Sequence, residues 1–424
     1  MNCFHGILPP PLTSDNNILK AITRPVVHYG WIIVLAGCLS IFAAIGLGRF
    51  SIGVLLPAMG SSLHLSYSQM GLVCTCNFVG YLAAVLFCGR LQAVLGARRL
   101  IPLALLLVGI SMMLIGLARG LLSVALLYTL TGIGSGAANI PVMGLVSAWF
   151  VSRLRGRAAG FVVTGSGFAI LLAGQLIPFF NALRPEGWRL SWFVLGAIVL
   201  VVAVFSLVIL RNRPQDLGLQ PVGADKGPAC EESRPDFRPF NKKVLLNCGL
   251  IYFIFGCTYV IYVTFIVTVL VQEHGFSEAA AGSFWSWVGF LSLFSGPVFG
   301  TLSDRFGRKT GLMIVFSIQT LAYLLVGLKL PNIALILSIG SFGIVAWSIP
   351  SIMIALIGDL VGVHNTVRVF GFITFLLGIG QIIGPFFAGL LAETTGDFSV
   401  AFLLAAGMTS VAVLLSSRLQ VDEG

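Results

Sequence analysis

Long apolar runs separated by short polar interruptions fill the chain, and the runs are too long to be strands. Stretches of about 18 or more predominantly apolar residues recur, whereas a membrane barrel strand would show ~10-residue segments of alternating hydrophobicity. The pattern predicts twelve helical spans. They fall at about 30–59, 67–89, 100–118, 122–150, 158–180 and 188–210, and then at 244–271, 278–302, 310–328, 333–358, 368–391 and 398–416. Between 211 and 243 the composition changes abruptly to Pro, Gly and charge, which reads as a linker between two six-helix halves. The expected organisation is an N-terminal tail (1–28), a first half (29–210), the linker (211–243), a second half (244–416) and a C-terminal tail (417–424).

The halves echo each other. Gly300-Thr301-Leu302-Ser303-Asp304-Arg305-Phe306-Gly307-Arg308-Lys309 puts a charged, glycine-bracketed hairpin between two apolar runs. A worn copy stands 211 residues upstream at Gly89-Arg90-Leu91-Gln92-Ala93-Val94-Leu95-Gly96-Ala97-Arg98-Arg99. A second echo, Gly174-Gln175-Leu176-Ile177-Pro178 against Gly380-Gln381-Ile382-Ile383-Gly384-Pro385, is offset by 206. Such self-similarity reads as a duplicated membrane unit.

Composition agrees with the pattern. With 57% hydrophobic residues, 9% charged residues and a mean hydropathy of +1.00, the chain is no soluble globular domain, where about 25% of residues are charged. The net charge of +10 would suggest nucleic acid in a soluble protein, but its placement points elsewhere. Of the 25 Lys and Arg, 20 fall in the tails, the linker and the loops after even-numbered spans. Arg119, Arg184, Arg189 and Lys329 lie on the other side, and Arg49 is alone inside a span. The positive-inside rule then puts both termini in the cytoplasm of a cell whose cytoplasmic (inner or plasma) membrane holds the protein. The proline-bearing, polar first 27 residues and the over-long first apolar run exclude a cleavable signal peptide. No outer loop holds any of the eight cysteines, so no disulfide framework is implied, and Cys74 and Cys76 point to different helix faces and form no metal pair.

The Gly300–Lys309 run looks like the loop signature of the major facilitator superfamily (MFS), the twelve-helix secondary transporters, in its full G-x-L-x-D-R-x-G-R-K form. His28-Tyr29-Gly30-Trp31 and Arg213-Pro214-Gln215-Asp216-Leu217-Gly218-Leu219 are similar to segments of monocarboxylate porters and oxalate–formate antiporters. Gly48-Arg49-Phe50 with Leu55-Leu56-Pro57-Ala58-Met59, and Ala346-Trp347-Ser348-Ile349-Pro350, look like a group of uncharacterised bacterial members. The resemblance implies an all-α integral membrane fold of two pseudo-symmetric six-helix halves, alternating access, and a cavity lined by the first, fourth, seventh and tenth helices. It also implies that Gly89, Gly96, Arg98, Gly300, Asp304, Arg305, Gly307 and Arg308 form a conformational latch. Asp304 is expected near the start of the eleventh helix at Arg368. Tyr128 stands where the family's fourth-helix motif has Arg, and Ala93 where the first hairpin copy would have Asp.

Chemistry inside the membrane narrows to Arg49. An embedded charge costs ~2.5–3.5 kcal/mol on insertion scales, and all 15 acids fall in loops, tails or helix ends. An unpaired guanidinium in a cavity invites a carboxylate or sulfonate. Two other readings stand beside this one: snorkelling of the side chain towards the outer interface, and a tie to carbonyls of broken helices. Tyr252, Tyr259 and Tyr262 are spaced to share one helix face, and with Asn77, Tyr81, Asn139 and Trp347 they complete the candidate substrate site. Gly132-x-Gly134 follows no strand and is helix-packing spacing rather than a nucleotide fingerprint.

The expected function is a secondary active transporter moving a small, monocarboxylate-like organic anion. Alternatives are an efflux pump for amphipathic compounds and a transporter-like sensor or scaffold acting through the linker. No enzyme motif, cofactor or metal is implied. Expected partners are the small anionic substrate, membrane lipid, and a coupling proton or counter-transported anion, with no nucleic acid and a monomeric state.

Overall fold

A computed structural model describes residues 28–224 and 242–419. The rest of the tails and the middle of the linker fall outside these described residues. Twelve long helices make up the described part: α1 Tyr29–Leu63, α2 Tyr67–Leu95, α3 Ala97–Ile115, α4 Leu121–Trp149, α5 Ser152–Leu183, α6 Gly187–Ile209, α7 Lys243–Glu273, α8 Glu278–Phe306, α9 Arg308–Gly327, α10 Asn332–Val361, α11 Val363–Thr395 and α12 Ser399–Ser417. Eleven are long and apolar enough to cross a membrane. The other, α8, is 29 residues long, or about 43 Å at 1.5 Å per residue. Serines dilute its apolar character, and it uses them on neighbours. Ser286 Oγ donates to the Leu171 carbonyl of α5 at 3.0 Å, and Ser295 Oγ accepts the Trp347 N–H at 3.2 Å.

Several helices run past the ends that the apolar pattern predicts, because a helix stops where the backbone is made to stop and not where hydropathy fades. The charged run 300–309 is therefore not an open hairpin. α8 continues through Phe306, and the turn is Gly307 alone, at φ +90. Its twin Gly96 ends α2 at φ +70, again in the region that glycine enters at no steric cost.

The duplication has a strict register here. His64 and Gly275, 211 apart, both take positive φ (53 and 68) after the first helix of each half. Ser66 and Ser277 then cap α2 and α8, with Ser66 Oγ accepting from the Gln69 N–H at 3.4 Å and Ser277 Oγ from the Ala280 N–H at 3.2 Å. The 206 echo falls out of this register. A methyl at Gly174 would meet Gly282 and Ser286 of α8, whereas one at Gly380 would meet Phe253 and Cys257 of α7. The true counterpart of the Gly174–Gly282 contact is Pro385 against Gly71, which preserves the offset of 211.

An even number of spans leaves both chain ends at one end of the bundle, called here the termini end. The halves touch from mid-helix to the opposite, far end. On one flank Thr75 Oγ1 donates to the Ile382 carbonyl at 2.9 Å, and the Glu393 carboxylate caps α2 by accepting from Ser68 N–H at 3.0 Å and Ser66 Oγ at 2.8 Å. On the other flank Gln175 Nε2 donates to Ser286 Oγ at 2.8 Å and Asn181 Nδ2 to Glu278 Oε2 at 2.6 Å. Gly53 of α1 lies against the Val263 carbonyl of α7. Small residues permit such approaches, which in lipid are held by packing and interhelical hydrogen bonds. Towards the termini end, α4 and the second part of α10 pack within their own halves.

A strap follows α6. The Pro214–Leu217 3-10 turn leads to Val222, which pairs with Phe150, its N–H donating to the Trp149 carbonyl at 2.8 Å. Trp149 Nε1 donates to the Arg211 carbonyl at 3.1 Å, and Tyr29 Oη to the Ile209 carbonyl at 2.7 Å. Together they tie the termini ends of α1, α4 and α6.

Candidate functional site

Where α1 carries its glycine-rich stretch it leaves the α-helical form and becomes π-helical over Phe42–Phe50. A π turn misaligns the backbone ladder, is frequent at functional sites, and frees carbonyls for other donors. Two side chains of α4 use them. Ser135 Oγ donates to the Ala44 carbonyl at 2.6 Å, and Tyr128 Oη donates to the Arg49 carbonyl at 2.9 Å. Tyr128, at the place where the family motif has Arg, thus supports the backbone of the residue that carries the charge.

Arg49 is 6% exposed. Its guanidinium lies over two rings of α2, 4.0 Å from the Tyr81 centroid and 4.5 Å from that of Phe78. Such stacking on aromatic faces is worth ~0.5–2 kcal/mol per ring. The side chain reaches neither the far interface nor a backbone carbonyl. Nε and Nη2 are buried without a hydrogen-bond partner, Nη1 is not sealed in that way, and among the described residues no carboxylate lies within ion-pair distance. The two remaining readings of this residue, snorkelling and a carbonyl tie, therefore lack the contacts they need.

The neighbours are ordered around this cation. Asn139 Nδ2 of α4 donates to Tyr81 Oη at 2.8 Å, which fixes the ring beneath the guanidinium. Asn77 Nδ2 donates to the Tyr128 carbonyl at 3.0 Å, so Asn77 ties α2 to α4. From the other half, Trp347 packs on Phe50, the residue after Arg49, with ring centroids 5.0 Å apart, and on Tyr259 at 5.8 Å. Tyr259 stacks on Phe255 at 4.8 Å and accepts from Gln381 Nε2 at 2.6 Å. Tyr252 continues the row, 6.1 Å from Phe255. Tyr262 does not join it. Its ring stacks on Phe342 at 3.9 Å and its hydroxyl shares a 2.8 Å hydrogen bond with Ser338, inside the second half. Over ten residues of helix the shared face drifts enough to turn the third tyrosine inward. Phe78, Phe50, Tyr128 and Gln381 were not among the substrate-site residues expected from sequence. The three-residue spacing of Phe78 and Tyr81 was the available signal, since it puts both rings on one face.

The hairpin residues divide into two unlike ends. In the second half Arg308 is the hub: it pairs with Asp304, its Nε donates to Asp359 Oδ2 at 2.9 Å, and its Nη1 donates to Ser303 Oγ at 3.0 Å. Asp304 is therefore held by the base across its own turn and, through it, by α10. The expected seat at an α11 beginning at Arg368 is corrected, since α11 starts at Val363. Arg305 lies against the Phe306 ring, and Gly89 and Gly300 stay within their helices. In the first half the three places 211 earlier hold Ala93, Ala97 and Ala148, and all three line a cavity of about 500 Å³ with Gln92, Asn212 and Asp216. There Arg98 contributes its backbone N–H, donating to Asn212 Oδ1 at 2.9 Å.

Two six-helix halves that meet from mid-helix to the far end form the fold of the MFS transporters, an integral membrane fold. The chain belongs to the family described as uncharacterised MFS-type transporter YbfB, whose pattern matches residues 41–417. It is similar to the hexuronate transporter of Bacillus subtilis, at 25% identity over 88% of this chain and 90% of the relative. It is similar also to the probable sulfoacetate transporter SauU of Cupriavidus necator, at 25% identity over 89% and 91%. Monocarboxylate transporter 11 of Mus musculus is 26% identical over 89% and 84%. Among solved structures, a bacterial homologue of the human lysosomal transporter Spinster superposes with a TM-score of 0.69 at 16% identity, covering 93% of this chain and 98% of that one.

Proposed function

We propose that this protein is a secondary transporter that carries a small organic anion across the cytoplasmic membrane, binding its carboxylate or sulfonate at Arg49. The observation that carries this reading is the buried guanidinium, held between Tyr81 and Phe78 with no protein acid to neutralise it. Arg keeps its proton in proteins, so the compensating charge has to come from a ligand. The relatives named for hexuronate, sulfoacetate and monocarboxylates support an anionic cargo. Contacts between the halves at the far end, with α4 and the second part of α10 packed mainly within their own halves at the other, support alternating access from a state open at the termini end. The basic asymmetry of the loops supports a cytoplasmic termini end.

The test is uptake of radiolabelled lactate, glucuronate and sulfoacetate into proteoliposomes, with Arg49→Ala as control. Saturable uptake of at least one anion that Arg49→Ala abolishes supports the reading. Wild-type uptake indistinguishable from protein-free vesicles for all three would refute it.

A further inference from the structure

Arg49, two of whose guanidinium nitrogens are buried without a hydrogen-bond partner, also lines a small chamber. Nε and Nη2 of a guanidinium form one complete fork, the edge that grips a carboxylate side-on. In this structure that fork is sealed, while Nη1 is not. The adjoining cavity has a volume of about 10 Å³, room for one water. It is lined by Arg49, Cys74, Phe78, Tyr128, Val263 and Thr264, among others. Cys74 lies one turn along α2 from Phe78 towards the far end, whereas Tyr81 and Asn139 lie on the termini side. Cys74 of the first half and Thr264 of the second both line this chamber, which therefore straddles the boundary between the halves. The seal is supplied by α7, whose Val263 carbonyl abuts Gly53 of α1.

We infer that Arg49 serves two anion positions, one from each side of the membrane, and that the small chamber lined by Cys74 and Thr264 is the far-side position. This rests on the reading of Arg49 as the anion site. When the far ends part, α7 takes Val263 and Thr264 away while Arg49, Cys74 and Phe78 stay with the first half. The Nε/Nη2 fork is then the first donor pair that a carboxylate or sulfonate meets from that side. From the termini side the same anion meets Nη1, with Tyr81 Oη and Asn139 beside it. Transport is then a transfer from one edge of a single guanidinium to the other.

Cys74 reports on the chamber. Proteoliposomes, with sides assigned by protease access to a C-terminal tag, are treated from either side with an anionic sulfonatoethyl or a cationic trimethylammonioethyl methanethiosulfonate. Each forms a mixed disulfide with the thiol and releases methanesulfinate, and the Cys74 peptide is read by mass spectrometry. The expected result is labelling from the far side only, about tenfold faster with the anionic reagent, a preference that disappears in Arg49→Gln. A Thr264→Val variant should raise the far-side KM for the transported anion about tenfold and leave the termini-side KM within about twofold. Labelling from the termini side, no labelling from the far side, equal rates for the two reagents, or equal KM changes on both sides would overturn the two-position inference. The underlying reading fails separately, on anion uptake that survives Arg49→Ala.

Discussion

The Arg49 guanidinium rests 4.0 Å from the centre of the Tyr81 ring, and the hydroxyl of that same ring accepts a hydrogen bond from Asn139. One aromatic side chain therefore both supports the charge and ties it to α4. Tyr81→Phe keeps the ring and loses the hydroxyl's ~1 kcal/mol. Tyr81→Leu also loses the ~0.5–2 kcal/mol of the cation–π contact. Anion affinity measured by calorimetry should fall in the order wild type, Tyr81→Phe, Tyr81→Leu, with Arg49→Lys lower by ~1.5–3 kcal/mol and Arg49→Ala showing no binding. Equal affinities for the two Tyr81 variants would deny the ring its supporting role.

Arg308 holds two carboxylates, and among the described residues each carboxylate holds only Arg308, so their deletions should differ. Arg308→Ala should slow transport more than Asp304→Asn or Asp359→Asn alone, without loss of folded protein. The side chains of both acids are more than half exposed, so each single bond contributes little to stability, ~0–1 kcal/mol. Ala93→Asp alone should change transport less than Asp304→Asn, because Ala97 supplies no base to receive the new acid. A transport loss in Ala93→Asp as large as that in Asp304→Asn would contradict this account.

Glycines at close approaches separate stability from conformation. A methyl at Gly132 would overlap the Asn77 carbonyl inside the first half, whereas one at Gly71 would overlap the Pro385 carbonyl between the halves. Overpacking a fixed contact costs ~1–3 kcal/mol, but two bodies that move apart can relieve it. Gly132→Ala is expected to lower the melting temperature. Gly71→Ala should instead lengthen spin-label distances across the far end at nearly unchanged melting temperature. Similar melting losses in both variants would show that the far-end contact does not open.

Acid sensitivity should reside in the far-end loop before α12. Lys329 Nζ lies 2.6 Å from Asp397 Oδ2, and Asp397 Oδ1 accepts the Ser399 N–H at 2.9 Å. These bonds, the ammonium's first, hold the Asp397 carboxyl below its ordinary range. A depressed folded value means that the stabilisation is present above the unfolded pKa of ~3.9 and is lost as pH falls through the folded value. Wild-type melting temperature should therefore drop on acidification below about pH 4 more steeply than that of Asp397→Asn. Parallel curves would remove the ion pair from the acid response.

Helix number, the halves and the 211-residue register were legible in sequence because hydrophobic span length and glycine-flanked charge are local signals. Arg49 stood out for the same reason, as a charge within an apolar run. The wide turn around it did not, since Gly46 and Gly48 lower helix propensity without specifying which ladder replaces it. Nor could spacing alone show that Tyr262 turns into its own half, or that the 206 echo joins residues facing different helices. Those facts depend on which helices are neighbours, and a single sequence does not record that. Ala93 was legible from the hairpin copy, but Ala148 joined it only once Asp359 was seen to pair with Arg308.

The strap from Arg211 to Gly223 binds one half through backbone and neutral groups and through guanidinium-to-carbonyl bonds such as that from Arg153 Nη2 to the Gly223 carbonyl at 3.1 Å, whereas the other half relies at the same end on the ion pairs around Arg308. Backbone hydrogen bonds are indifferent to dissolved salt, while partly exposed ion pairs are screened by it. Ionic strength therefore weighs more on one half than on the other. The half with the ion pairs around Arg308 is the one whose termini end answers more to the surrounding electrolyte.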